Sequence, residues 1–199
     1  MNKMETRTRQ EVGTGNMAYK IAINGYGRIG RSVLRALYES HHYRNLEVVA
    51  INELAEAKTI AHLTKYDTTH GRFSGDVELC GNDFFVNNNY IRLTHERDLK
   101  QLPWKALGVD VVMECTGAFT ERKIAEQHLK SGAGRVIFSQ PAEEDVDATI
   151  VYGVNEETLK KDHTVISNAS CTTNCSIPIL KVLNDALGIE SGIITTIHS

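Results

Sequence analysis

The sequence predicts an α/β protein. Its core is a doubly wound, mostly parallel sheet, followed by the first helix and strand of a second, α+β unit. Three observations carry this. Short apolar runs rich in Val and Ile alternate with stretches of helical periodicity. The first such run passes directly into a glycine-rich turn that opens a helix. The texture changes after residue 169, where a polar cluster precedes one apolar helix and one apolar strand.

Taken in order, residues 1–17, MNKMETRTRQEVGTGNM, are polar and aperiodic and read as a disordered tail. YKIAIN (Tyr19–Asn24) reads as a buried strand, and GYGRIG follows at once. RSVLRALYES then places Val33, Leu34, Leu37 and Tyr38 at helical spacing. LEVVAIN (Leu46–Asn52) reads as a second strand and Glu56–Tyr66 as a second helix. Between Gly71 and Thr94 the short β runs FSGDVELC, DFFVNN and YIRLTH suggest a small antiparallel excursion. VDVVMECTG (Val109–Gly117) is another buried strand, and EQHLKSGAG closes a helix on glycine. RVIFS (Arg135–Ser139), ATIVYGV and TVIS complete the strands. From Cys171 to Leu187, the residues Ile177, Leu180, Leu183 and Leu187 share one helical face, and Gly188 ends the helix. Pro178 predicts a kink or an irregular first turn. GIITTIHS then begins a strand.

Size and charge narrow the function classes. A chain of 199 residues, 41% of them hydrophobic, can build one sizeable core, or one domain and part of a second. The net charge of −3 comes from 22 basic and 25 acidic residues spread along the chain. No basic block points to nucleic acid, and no run of 18 apolar residues points to a membrane span. Residues 1–17 lack the apolar core of a secretory signal. The four cysteines, Cys80, Cys115, Cys171 and Cys175, fit neither a disulfide framework nor a zinc pattern. The expectation is a cytoplasmic protein with reduced thiols, no metal, and a small-molecule ligand.

GYGRIG supplies that ligand's class. Gly25 permits the tight turn, Gly27 lets backbone approach a pyrophosphate, and Gly30 lets the helix pack close to the strand. The N–H groups of Arg28 and Ile29 at the helix start face the phosphates with the positive end of the helix dipole. Such a motif alone is weak, but here it follows a strand and opens a helix, as a Rossmann dinucleotide site requires. Glu53 lies 23 residues after Gly30 at the end of the second strand. A carboxylate there accepts hydrogen bonds from the adenosine ribose and repels a 2′-phosphate, so NAD is expected rather than NADP.

SNASCTTNC supplies a nucleophile. Ser170 can cap the following helix, with Cys171 in its first turn, where the dipole favours a thiolate. Polar Ser170, Thr172, Thr173 and Asn174 surround Cys171, whereas Cys80, Cys115 and Cys175 are expected to be buried core thiols. A nucleophile needs a base within hydrogen-bond reach. Seven histidines, among them His128, read as surface or capping residues. His198 follows the apolar IITTI, on a strand that could return beside the Cys171 helix.

Together NGYGRIGR, KYDTTHGRF, ECTG, SNASCTTNC and TTIH resemble the glyceraldehyde-3-phosphate dehydrogenase superfamily, from about Tyr19 to Ser199. INELA, HERDLKQLPWKALGVDVV, VDATIVYGVN and Ser199 directly after His198 are similar to its branch that oxidises D-erythrose 4-phosphate. The resemblance implies NAD-dependent oxidation to 4-phosphoerythronate, an early step of vitamin B6 biosynthesis, in a homotetramer. It makes Cys171 the nucleophile and His198 the group that activates it. It gives Arg28, Ile29 and Arg97 to NAD, Thr116 and Ser139 to the nicotinamide side, and Ser170 and Thr172 to the substrate. The implied division is a tail over 1–17, a NAD-binding domain over 18–169, and the start of a longer catalytic domain over 170–199. On that division the chain alone is expected to lack turnover. The alternatives are a phosphorylating glyceraldehyde-3-phosphate dehydrogenase and a NAD-binding unit without catalysis.

Overall fold

A computed structural model describes residues 18–40, 43 and 45–197. The expected tail over 1–17, together with His198 and Ser199, lies outside the described residues. The chain order is β1 (Tyr19–Asn24), α1 (Arg28–Glu39), β2 (Leu46–Asn52), α2 (Ala57–Lys65), β3 (Tyr66–Asp67) and β4 (Gly71–Arg72). Next come β5 (Val77–Cys80), β6 (Asp83–Val86), β7 (Asn89–Thr94), α3 (Trp104–Leu107), β8 (Val111–Glu114) and α4 (Arg122–Lys130). The last elements are β9 (Arg135–Phe138), β10 (Ala148–Thr149), β11 (Val165–Ser167) and α5 (Cys171–Leu187). Among the described residues, nine strands form one sheet in the order β10-β11-β9-β8-β1-β2-β7-β6-β5.

The pairings β10·β11, β11·β9, β9·β8, β8·β1, β1·β2 and β2·β7 are parallel, while β7·β6 and β6·β5 are antiparallel. This is the doubly wound α/β sheet that the alternating pattern predicts. The antiparallel excursion is not a separate sheet, because β7 pairs with β6 on one side and with β2 on the other. The chain leaves β1 toward β2 and later returns to β8 on β1's opposite side. The strand order therefore reverses at the β1–β8 boundary, where ligands of such sheets bind.

Each face of the sheet carries its own core. One gathers Ile21, Ile23, Leu34, Val48, Ile51, Ile60, Phe84 and Ile91 under α1, α2 and the antiparallel strands. The other gathers Ala22, Ala50, Trp104, Val112, Ala125, Val136, Phe138 and Val165 under α3 and α4. β1 serves both cores, because its alternate residues point to opposite faces. Its last four residues are all buried, as a central strand covered on both sides requires.

Several expectations are corrected. ATIVYGV pairs only over Ala148–Thr149, since the chain then turns at Gly153 with φ +80°. The helix expected over Cys171–Leu187 is α5, with Pro178 inside it. Residues 190–197 form no strand, because no neighbouring strand offers them a ladder among the described residues. Ile193 and Ile197 of that segment are each 96% exposed, and Leu187 at the end of α5 is 81% exposed. Cys80 and Cys175 are exposed rather than buried. Cys80 ends β5 at the turn into β6, and Cys175 sits on a helix with no fully buried residue. His128 is wholly buried, because α4 lays it against Trp104 and Glu114. Among the described residues no helix is long and apolar enough to cross a membrane.

Candidate active site

At the β1–β8 boundary the C-terminal strand ends surround a cleft of about 470 Å³. That volume suits a small-molecule ligand. Its lining comes from the ends of β1 (Asn24, Gly25, Gly27), β2 (Asn52, Glu53, Leu54) and β8 (Cys115, Thr116, Ala118, Phe119), with Glu96, Arg97 and Leu99 beside them. Of the residues the sequence singles out, the structure brings Gly25, Gly27, Glu53, Arg97 and Thr116 to this one cleft.

The glycine turn has the stereochemistry its spacing predicts. Gly25 has φ +86°, and a Cβ there would meet the Thr116 backbone N at 2.6 Å. A Cβ on Gly30 would collide with the Gly25 carbonyl oxygen. Gly27 is different: apart from its own local backbone, no described atom lies within 4 Å of a Cβ there, and it lines the cleft. It is also the N-cap of α1, with no side-chain cap among the described residues and no acid in the first turn. An uncapped helix start beside an open floor fits a pyrophosphate. Arg28 and Ile29 open this helix but do not line the cleft with their side chains. The Arg28 guanidinium is held by Asp67 at 3.0 Å, which leaves the Arg28 backbone as its route to the phosphates. Backbone N–H groups of His70 and Thr69, with Arg28, keep the Asp67 carboxyl well below its ordinary range.

Glu53 does more than close the end of β2. Its carboxylate accepts the backbone N–H of Tyr26 at 2.8 Å and those of Leu54 and Ala55 at 2.7 and 3.2 Å. It therefore ties the glycine turn to the end of β2 while keeping its charge on the cleft wall. Glu53→Gln is expected to lower the ratio of catalytic efficiencies for NAD over NADP by roughly tenfold, since one repulsive charge toward a 2′-phosphate disappears. Kinetics with both cofactors check this. Equal efficiency with NADP in the unmutated protein would exclude Glu53 as the discriminator.

The SNASC segment lies at the same C-terminal end of the strands. β11 is parallel to β9 and β9 to β8, so their C-terminal ends lie together. Asn168 N donates to Phe138 O at 2.9 Å, which sets the SNASC segment beside Ser139. Ser139 follows β9 and donates its hydroxyl to Gln140 Oε1 at 2.8 Å; it does not line the cleft. Ser170 caps α5, accepting the Thr173 N–H at 2.9 Å, and Thr172 Oγ1 lies 2.8 Å from its hydroxyl. Cys171 is therefore the first residue of a 17-residue helix, and it is exposed. Buried Ala169 holds φ +55°, a conformation that costs an alanine about 1 kcal/mol or more. The strain turns the chain sharply just before the thiol. Cys115 does line the cleft, but burial pushes its thiol up to about 12, so it is uncharged at neutral pH.

Sequence reasoning missed a buried polar chain beneath the cleft. Asn52 Nδ2 donates to Asn24 Oδ1 at 2.7 Å, and Asn24 Nδ2 donates to Glu114 Oε2 at 2.6 Å. His128 Nε2 lies 3.1 Å from the same carboxylate, and Trp104 Nε1 donates to His128 Nδ1 at 3.0 Å. A signal was present. The apolar strands YKIAIN, LEVVAIN and VVME each end on a polar residue, which is costly inside a core unless partnered.

Residues 19–122 match the model of the glyceraldehyde 3-phosphate dehydrogenase NAD binding domain, and residues 170–199 match that of the C-terminal domain of the same family. The chain belongs to the glyceraldehyde 3-phosphate dehydrogenase family. It is of the NAD-dependent dehydrogenase type, and the residues that line the cleft all fall within the segment matched to that family's NAD binding domain. A small phosphorylated aldehyde is the substrate class that goes with the family.

Proposed function

We propose that the protein oxidises D-erythrose 4-phosphate to 4-phosphoerythronate, with Cys171 as nucleophile and His198 as its base. The product is a precursor in vitamin B6 synthesis. The observation that carries the chemistry is the exposed Cys171 at the capped start of α5, on the same sheet edge as the cleft. In this reading residues 18–169 bind NAD, and residues 170–199 begin the catalytic part of a homotetramer. The choice of aldehyde rests on the INELA, HERDLKQLPWKALGVDVV and VDATIVYGVN segments.

The Cys171 thiolate attacks the aldehyde carbon and forms a hemithioacetal. Its oxyanion takes hydrogen bonds from the Cys171 backbone N–H, at the positive end of α5, and from protonated His198. His198 then holds the hydroxyl proton as the carbon gives up its hydride and becomes a thioester. NAD, when bound, accepts that hydride. Gly27 and the first turn of α1 seat its pyrophosphate, Glu53 and Arg97 flank it, and Thr116 supports the nicotinamide end. Water cleaves the thioester, releasing the acid and the Cys171 thiol. Ser170 and Thr172 flank the substrate.

Steady-state formation of NADH, with each aldehyde and with or without inorganic phosphate, tests the reading. With this sequence continued through the rest of the catalytic domain, turnover of erythrose 4-phosphate that does not depend on phosphate is expected. Turnover confined to glyceraldehyde 3-phosphate and dependent on phosphate would replace it with the phosphorylating reaction.

A further inference from the structure

We propose that the buried Glu114 carboxylate, kept ionised beside a neutral His128, is a specificity-determining charge that makes the site favour the oxidised, cationic form of NAD over NADH. The inference rests on the proposed placement of the nicotinamide end at Thr116 and is independent of the aldehyde.

Hydrogen-bond directions along the buried chain are fixed from both ends. At one end, Glu96 N donates to Asn52 Oδ1 at 2.9 Å while Glu96 O accepts from Asn52 Nδ2 at 2.9 Å. Backbone groups cannot exchange these roles, so the Asn52 amide has one orientation. Its Nδ2 donates to Asn24 Oδ1, which turns the Asn24 amide nitrogen toward Glu114. At the other end, an indole N–H is a donor only. His128 Nδ1, which faces it, must therefore be an unprotonated acceptor. The single ring proton sits on Nε2 and is donated to Glu114 Oε2.

The other carboxylate oxygen is approached by donors as well. Thr116 N donates to Oε1 at 2.9 Å. The Thr116 hydroxyl accepts from Ala118 N at 3.2 Å and so gives its own proton to Oε1. Four donors converge on the carboxylate, and among the described residues no acceptor remains for a carboxyl proton. Burial pushes the Glu114 carboxyl up, but hydrogen bonds from His128, Thr116 and Asn24 outweigh it and hold it below the ordinary range. Because the imidazole is neutral, this contact is a hydrogen bond and not an ion pair, and the negative charge is uncancelled. Glu114, His128 and Trp104 are each 0% exposed, so water screens that charge little.

The charge lies directly under Thr116, which lines the cleft. NAD and NADH share the adenosine, pyrophosphate and both riboses, and they differ by one positive charge on the nicotinamide ring. The ratio of their dissociation constants therefore isolates what Glu114 does to that ring.

Dissociation constants for NAD, NADH and ADP-ribose should be measured on the protein and on Glu114→Gln and Glu114→Asp. The Gln variant is expected to lower Kd(NADH)/Kd(NAD) about fivefold, the size of one screened charge pair. The Asp variant, which keeps the charge, is expected to keep the ratio, and ADP-ribose affinity should follow neither change. If all three ligands weaken together, or if the Gln and Asp variants move the ratio equally, Glu114 is structural and the proposal fails. Nitrogen NMR of the unmutated protein stands apart from any folding defect of the variants. A neutral His128 ring protonated on Nε2 is expected, and an imidazolium at neutral pH would overturn the proposal.

Discussion

Cys171→Ser, in a protein that carries the whole catalytic domain, is expected to reduce dehydrogenase turnover on the order of 10³-fold or more, because a serine hydroxyl offers no comparable anion at neutral pH. The thiol is exposed at the first residue of α5, capped by Ser170 and set by the strained Ala169. Serine can occupy the same place without disturbing that turn, so the fold should persist. NAD affinity should persist too, since Cys171 does not line the cleft. Cys175→Ser is the internal control. Cys175 is also exposed, but it sits one turn into the helix, away from the uncapped N–H groups of the first turn. Activity should survive that change. NADH absorbance with both variants decides the matter, and near-normal turnover by Cys171→Ser would remove Cys171 from the chemistry.

The second large effect concerns the glycine turn, where two glycines should fail differently. Gly25→Ala forces an L side chain to φ +86° and drives a Cβ to within 2.8 Å of Thr116 and Cys115 backbone atoms. Neither segment can yield cheaply, because Cys115 N is bonded to Asn24 O at 2.7 Å and Thr116 N to Glu114. The expected loss is about 3 kcal/mol of folding stability, a large part of a typical domain's total. Gly27→Ala has φ −70° and open space around the new methyl, so stability should change by only about 0.5 kcal/mol or less. Gly27 lines the cleft, however, so the added methyl should lower NAD binding by roughly tenfold. Chemical unfolding together with NAD titration separates the two. A Gly27→Ala protein that binds NAD normally would show that the pyrophosphate does not approach that floor.

Those two glycines also show what the sequence could reveal. Gly25 and Gly30 were legible because a tight turn and a helix–strand contact each demand a missing Cβ, and Gly27 because it opens the helix. The strands of the parallel core were legible for a similar reason, since strands buried on both faces must be apolar throughout. Their lengths were less so: VDVVMECTG pairs only over Val111–Glu114, because pairing depends on where the neighbour stops. Helix α5 was legible from its apolar spacing and Ser170. The strand expected after it was not formed, since β structure needs a partner that local sequence cannot supply. His128 was misjudged for the same reason. Nothing near it in sequence says that Trp104 and Glu114 complete its hydrogen bonds. Glu53 was expected as the acid that ends the second strand, but its hold on Tyr26, Leu54 and Ala55 could be seen only in three dimensions.

The dual pairing of β7 has a bearing on how molecules of this kind avoid one another. A parallel sheet that stopped at β2 would end in seven residues of unpaired backbone, a ready template for another chain. β7 covers that edge and passes it through β6 to β5. There the sheet stops on four residues with Glu78 exposed, next to a turn at Gly81. At the far side it stops on the two residues of β10. Both borders are too short, and one too charged, to invite edge-to-edge stacking. The antiparallel excursion thus acts as a hem on the sheet, leaving only short strands at its two borders among the described residues.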